Sequence, residues 1–125
     1  MSSLPQKTVL FIDDSLLVIE SLGDAFDNMP NVHVRLCRNL KQAQDAYTEV
    51  RPDILFLDHR LRGEEGREGL DMAHWLKREG TTVTVFSTSG FLDAETLSKY
   101  TAIGVQYVGK DFARIKKAME EALAT

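Results

Sequence analysis

Apolar residues fall in short unbroken or alternating runs at 9–12, 32–36, 54–57, 83–86 and 105–108. Each run is too short for a helix and is bounded by polar, Gly or Pro residues, as strands are. Between the runs the apolar positions take helical spacing. Val18, Ile19, Leu22 and Phe26 mark one helix face, Ala43, Ala46, Tyr47 and Val50 a second, and Leu70, Ala73 and Leu76 a third that opens near Gly69. Ala94 and Leu97 indicate a short fourth helix; Phe112, Ile115, Met119 and Ala122 indicate a fifth. Asn39 and Asp111 stand where N-caps are expected, and Arg51-Pro52 ends the second helix. Strand and helix thus alternate five times. The pattern predicts an α/β domain with a single parallel sheet, right-handed crossovers and helices on both faces. The second run, Val-His-Val-Arg-Leu, alternates apolar with polar residues, so it belongs at a sheet edge; the unbroken Ile-Leu-Phe-Leu of the third belongs inside.

The 125 residues fit one domain spanning 1–125, and a hydrophobic content of 43% is enough for a packed core. A net charge of −4 with no basic stripe argues against a nucleic-acid surface. The single cysteine, Cys37, excludes an internal disulfide and fits a reducing compartment. No apolar run approaches a membrane span, and the opening Met-Ser-Ser-Leu-Pro-Gln lacks the features of a signal peptide. A cytoplasmic protein with no membrane partner is expected. The Leu70, Ala73, Leu76 stripe leaves Trp75 on roughly the opposite side of its helix, either folded over the helix edge or outward as a docking residue.

Chemistry gathers at the strand ends. Asp13 and Asp14 follow the first strand, Asp58 the third, Ser87 and Thr88 the fourth, and Lys110 the fifth. In a parallel sheet these carboxyl ends converge on one rim, where ligands bind. Three crowded carboxylates need compensation, which a hard divalent cation supplies; few carboxylates with waters and a phosphate suit Mg²⁺ better than Ca²⁺. His33, His59 and His74 have no ligand spacing with Cys37, which disfavours Zn²⁺. Asp is an established nucleophile toward phosphoryl groups, a lysine can neutralise a transferred phosphoryl oxygen and a hydroxyl can bond another. Each residue alone has an ordinary explanation as a cap, a loop residue or a solvated charge. Their joint order points to a phosphoryl-accepting carboxylate.

These residues resemble the receiver domain of two-component response regulators, across essentially the whole chain. The resemblance is carried by Phe-Ile-Asp13-Asp14-Ser, Phe-Leu-Asp58, Phe-Ser87-Thr88-Ser-Gly and Gly104-Val-Gln-Tyr107-Val-Gly-Lys110. It implies a flavodoxin-like sheet in the order 2-1-3-4-5. It also implies Asp58 as phosphoacceptor from a sensor histidine kinase or phosphotransfer protein. Mg²⁺ would be held by Asp14, by Asp13 chiefly through water, by Asp58 and by the backbone carbonyl of Arg60, with Lys110 on the phosphoryl group. For the switch hydroxyl, the strand pattern selects Ser87 and the separation from Lys110 selects Thr88; the strand pattern is the tighter constraint and favours Ser87. Tyr107 matches the family's switch aromatic, on a face of helix four, strand five and helix five that would bind an output partner and admit a homodimer on activation. Arg60 and Ser89 flank the site, where they could position or exclude attacking water.

The chain departs from the family in two places. Lys110 precedes Asp111 where proline is common, and the loop after Asp58 is longer than usual, with Arg62 at the usual proline position. Other classes fit less well. An aspartyl phosphatase would need an acid at position 60, which is Arg, and a flavodoxin-like cofactor site would place phosphate against Asp13 and Asp14. The alternative is a pseudo-receiver that binds partners without phosphorylation. With no output domain in the sequence, either a stand-alone receiver or one domain of a longer protein is expected.

Overall fold

The computed structural model describes residues 6–61, 68–80 and 82–124. Ten elements alternate in order: β1 (Lys7–Ile12), α1 (Leu16–Phe26), β2 (Val32–Cys37), α2 (Leu40–Val50), β3 (Ile54–Leu57), α3 (Glu68–Arg78), β4 (Thr84–Ser87), α4 (Ala94–Ala102), β5 (Gln106–Tyr107) and α5 (Phe112–Leu123). The strands form one parallel sheet in the order β2-β1-β3-β4-β5, as expected. The alternating strand β2 is at an edge, and only its ends, Val32 and Cys37, are buried. All four residues of β3 are buried. Arg62 and the extra length expected in the loop after Asp58 lie outside the described residues. Among the described residues no helix is long and apolar enough to cross a membrane.

Short polar side chains start the helices by accepting from backbone N–H groups that lack a partner in the first turn. Ser15 accepts from Val18, Asn39 from Gln42, Asp93 from Thr96, and Asp111 from both Ala113 and Arg114. The residue before Pro52 is driven out of helical geometry. Arg51 takes φ 47° while its N–H still bonds the Tyr47 carbonyl, ending α2.

Two apolar layers enclose the sheet, because alternate strand residues point to opposite faces. Leu10, Ile12, Leu55, Leu57 and Val85 pack with α2, α3 and Tyr100 of α4. Val9, Phe11, Ile54, Phe56 and Phe86 pack with α1 and α5. On this second face the register aligns Phe11, Phe56 and Phe86 on neighbouring strands, and their rings stack at 5.0 and 5.2 Å. Trp75 is half-buried and folded onto Tyr47, edge to face at 5.5 Å, rather than directed outward.

The fifth strand is shorter than its apolar run. The N–H groups of Val108 and Gly109 both donate to the Ser87 carbonyl, at 2.8 and 3.1 Å, and this shared acceptor breaks the ladder after Tyr107. Gly109 turns the chain there with φ 85°, a left-handed conformation that side chains oppose. Lys110 follows directly.

Candidate functional site

The sheet's hydrogen-bond pattern continues one residue beyond β1, β3 and β4. Asp13 N–H donates to the Cys37 carbonyl, Asp58 N–H to Ile12 and Thr88 N–H to Leu57, at 2.8 to 3.0 Å. Because Ile12 pairs with Leu57 and Leu57 with Ser87, the next residues, Asp13, Asp58 and Thr88, form a row across adjacent strands. Ser87 stands one pleat back, in the row of Ile12 and Leu57. Its hydroxyl is buried and has no hydrogen-bond partner.

Asp13, Asp14 and Asp58 bring carboxylate oxygens within 4.8 Å of one another. Lys110 Nζ lies 3.2 Å from Asp13 Oδ2 and 3.7 Å from Asp58 Oδ2. Asp13 is 2% exposed; its Oδ1 accepts from Ser15 N–H at 2.9 Å, while its Oδ2 has the ion pair with Lys110 but no aligned hydrogen bond. Asp14 is half-buried. Asp58 is 6% exposed, and its Oδ1 accepts from Ser89 Oγ at 3.2 Å. An open cleft of about 330 Å³ reaches this cluster, bordered by Asp14, Asp58, Arg60, Phe91 and Lys110.

These surroundings set the charges. Burial, with repulsion from Asp13 second, pushes the Asp58 carboxyl up to about 6, against the pull of Lys110, the His59 N–H and Ser89. Burial opposes the charge on Lys110, but Asp58 and Asp13 outweigh it and hold the ammonium above its usual value. One ammonium thus faces three acids, and the buried Asp13 Oδ2 has no hydrogen-bond partner. An oxygen-only set of this kind fits a hard divalent cation.

The residues around the cluster are held from several elements. Ser89 Oγ also accepts from His59 N–H at 2.8 Å. The His59 carbonyl accepts from Gly69 N–H at 2.8 Å, and His59 Nδ1 lies 2.6 Å from the Tyr100 hydroxyl. Burial pushes the Tyr100 phenol up, so it keeps its proton; burial, and then Arg60, push His59 down, toward its neutral form. The exposed ring of Tyr107 lies on the rim, its hydroxyl donating to the Ser89 and Gly90 carbonyls at 2.9 and 3.3 Å.

The charged residues named from the sequence therefore converge, with Thr88 in their row and Ser87 out of it. Three residues were not singled out there: His59, Gly69 and Tyr100. Tyr100 had a signal, since it extends the Ala94, Leu97 spacing by three residues onto the buried face. Gly69 had none; its need arises from a close approach that only folding creates.

The model of the response regulator receiver domain matches residues 9–121. The chain is 28% identical over 117 residues to the sensory transduction protein LytT of Bacillus subtilis, an alignment covering 90% of this chain and 46% of that one. It is 30% identical over 79 residues to the phosphate regulon transcriptional regulatory protein PhoB of Pseudomonas aeruginosa, covering 63% and 33%. The chain spans less than half the length of these relatives. In backbone it resembles the signal receiver domain of a DNA-binding response regulator from Colwellia psychrerythraea, with a TM-score of 0.80 at 21% identity and coverage of 96% of this chain and 100% of that one.

Proposed function

This chain belongs to the response regulator receiver domain family, and from that membership we propose that it accepts a phosphoryl group on Asp58 and passes the signal on through the surface of α4, β5 and α5. The observation that carries the reading is the convergence of Asp13, Asp14 and Asp58 within 4.8 Å, with the Lys110 ammonium against two of them.

The donor is a phosphohistidine on a sensor kinase or phosphotransfer protein. An Asp58 carboxylate oxygen attacks phosphorus in line; the O–P bond forms as the P–N bond breaks, and the imidazole departs with the electron pair and takes up a proton. Asp13, Asp14, Asp58 and the Arg60 carbonyl would hold Mg²⁺, which when bound neutralises charge on the transferring oxygens. Lys110 supplies a fixed positive charge beside the same oxygens. Thr88, rather than Ser87, is the hydroxyl that bonds a phosphoryl oxygen, a choice supported by its place in the row of Asp13 and Asp58. Ser89 now bonds Asp58 directly and must give way as the phosphoryl group arrives. Its carbonyl holds the Tyr107 hydroxyl, so movement of this loop frees the ring and alters the output face. A cytoplasmic setting fits such a kinase partner, and the output is an attached domain, a separate partner or a second copy of the chain.

Incubation with acetyl phosphate and Mg²⁺ tests the reading by intact-mass spectrometry. Wild type should gain the mass of one phosphoryl group, and Asp58→Ala or omission of Mg²⁺ should abolish the gain. An unmodified wild type that still bound its partner would replace this reading with that of a phosphorylation-independent receiver.

A further inference from the structure

Tyr100 is the one side chain that α4 buries, and it is fully enclosed. A phenol hydroxyl removed from water needs a partner, and this one has His59 Nδ1 at 2.6 Å. His59 is held at both backbone ends as well, by Ser89 Oγ on its N–H and by Gly69 N–H on its carbonyl. Gly69 closes the arrangement. A Cβ there would meet the Asp58 carbonyl oxygen at 2.1 Å, the His59 Cα at 2.7 Å and the Tyr100 hydroxyl at 2.8 Å. The residue after Asp58 is therefore fixed from the β4–α4 loop, from α3 and from α4. Its two chain neighbours, Asp58 and Arg60, supply the carboxylate and the carbonyl assigned to the cation above.

We propose that Tyr100 is a positioning residue for the cation: through His59 it holds the turn from Asp58 to Arg60 in the geometry that the metal requires, and so ties occupancy of the site to the seating of α4. The inference rests on the receiver reading. Mg²⁺ demands near-ideal octahedral geometry at about 2.0–2.1 Å, so a small displacement of one ligand lowers affinity. Coupling between two places is reciprocal, so cation binding must tighten α4 as much as α4 favours the cation.

Calorimetric titration of MgCl₂ into wild type, Tyr100→Phe, His59→Ala and the double variant tests this, together with hydrogen exchange of the α4 amides with and without Mg²⁺. Tyr100→Phe should raise the Mg²⁺ dissociation constant about tenfold and abolish Mg²⁺-dependent protection of α4. His59→Ala should do the same and carries the test if Tyr100→Phe does not fold; the double variant should be no worse than the weaker single. Variants that lose thermal stability yet bind Mg²⁺ with wild-type affinity and keep the α4 protection overturn the proposal alone. A wild type that binds no Mg²⁺, or binds it equally well after Asp58→Asn, overturns the receiver reading and this proposal with it.

Discussion

Asp58, the proposed nucleophile, is kept under electrostatic pressure, nearly enclosed and facing a second acid, with a carboxyl raised to about 6. Its unfolded value is about 3.9. Between those values the folded chain holds a proton that the unfolded chain releases, so stability is present at low pH and declines as pH rises through about 6. In EDTA the melting temperature should therefore fall by a few degrees between pH 5 and pH 7. Asp58→Asn should flatten that slope, and millimolar Mg²⁺ should reverse it at pH 7; a wild-type slope unchanged in the Asn variant would contradict the assignment. The two hydroxyls separate just as sharply. Ser87→Ala removes a buried, unpartnered hydroxyl, so it should leave stability equal or higher by up to about 1 kcal/mol and leave phosphorylation intact. Thr88→Ala should keep Asp58 phosphorylation while blunting the conformational response, read as exchange in the β4–α4 loop with beryllofluoride. The four charged residues could be found from the sequence because strand ends in a parallel sheet must meet. Which hydroxyl shares the row of Asp13 and Asp58 could not, because adjacent strand residues differ by one pleat and the apolar pattern does not mark where β4 stops.

At the level of elements, hydrophobic periodicity carried most of the information. Helix faces survive an error of a residue or two at either end, and the mixed pattern of β2 announced its exposure. Strand limits followed hydrogen bonding instead. Val105 is buried without belonging to β5, since its N–H bonds the Tyr100 carbonyl at the end of α4. The stacked phenyls of β1, β3 and β4 make a sharper demand on packing than their hydrophobicity alone suggests. Phe56, between two ring partners and 1% exposed, is a position where truncation leaves a large void. Phe56→Ala should cost about 3–5 kcal/mol by urea denaturation, and because its ring lies on the α1/α5 face it should leave Mg²⁺ affinity in the surviving folded fraction close to wild type.

Over the whole molecule, the sheet separates a layer of α1 and α5 from a layer of α2, α3 and α4, and the functional groups stand at the edge where both layers end. A change at that edge should therefore reach α4 without disturbing α2, whose Ala43, Ala46 and Tyr47 are buried in the core. With Mg²⁺ and beryllofluoride, backbone exchange should change across residues 88–107 and stay constant across 40–50; a uniform change would indicate global tightening instead. The alternation of strands and helices foretold this architecture, as chirality and connectivity leave few other ways to bury the faces. The clamp of Gly69, His59 and Tyr100 is a product of the third dimension.

The seat of Trp75 has a practical corollary. The chain has a single tryptophan, and its edge-on neighbour Tyr47 borders Arg51, Pro52 and Asp53 at the amino end of β3, opposite the end that carries Asp58. Its emission should report unfolding faithfully and ignore both metal and phosphate. An optical assay of signalling needs a dye placed near Phe91, while the native fluorophore serves as the built-in control for integrity.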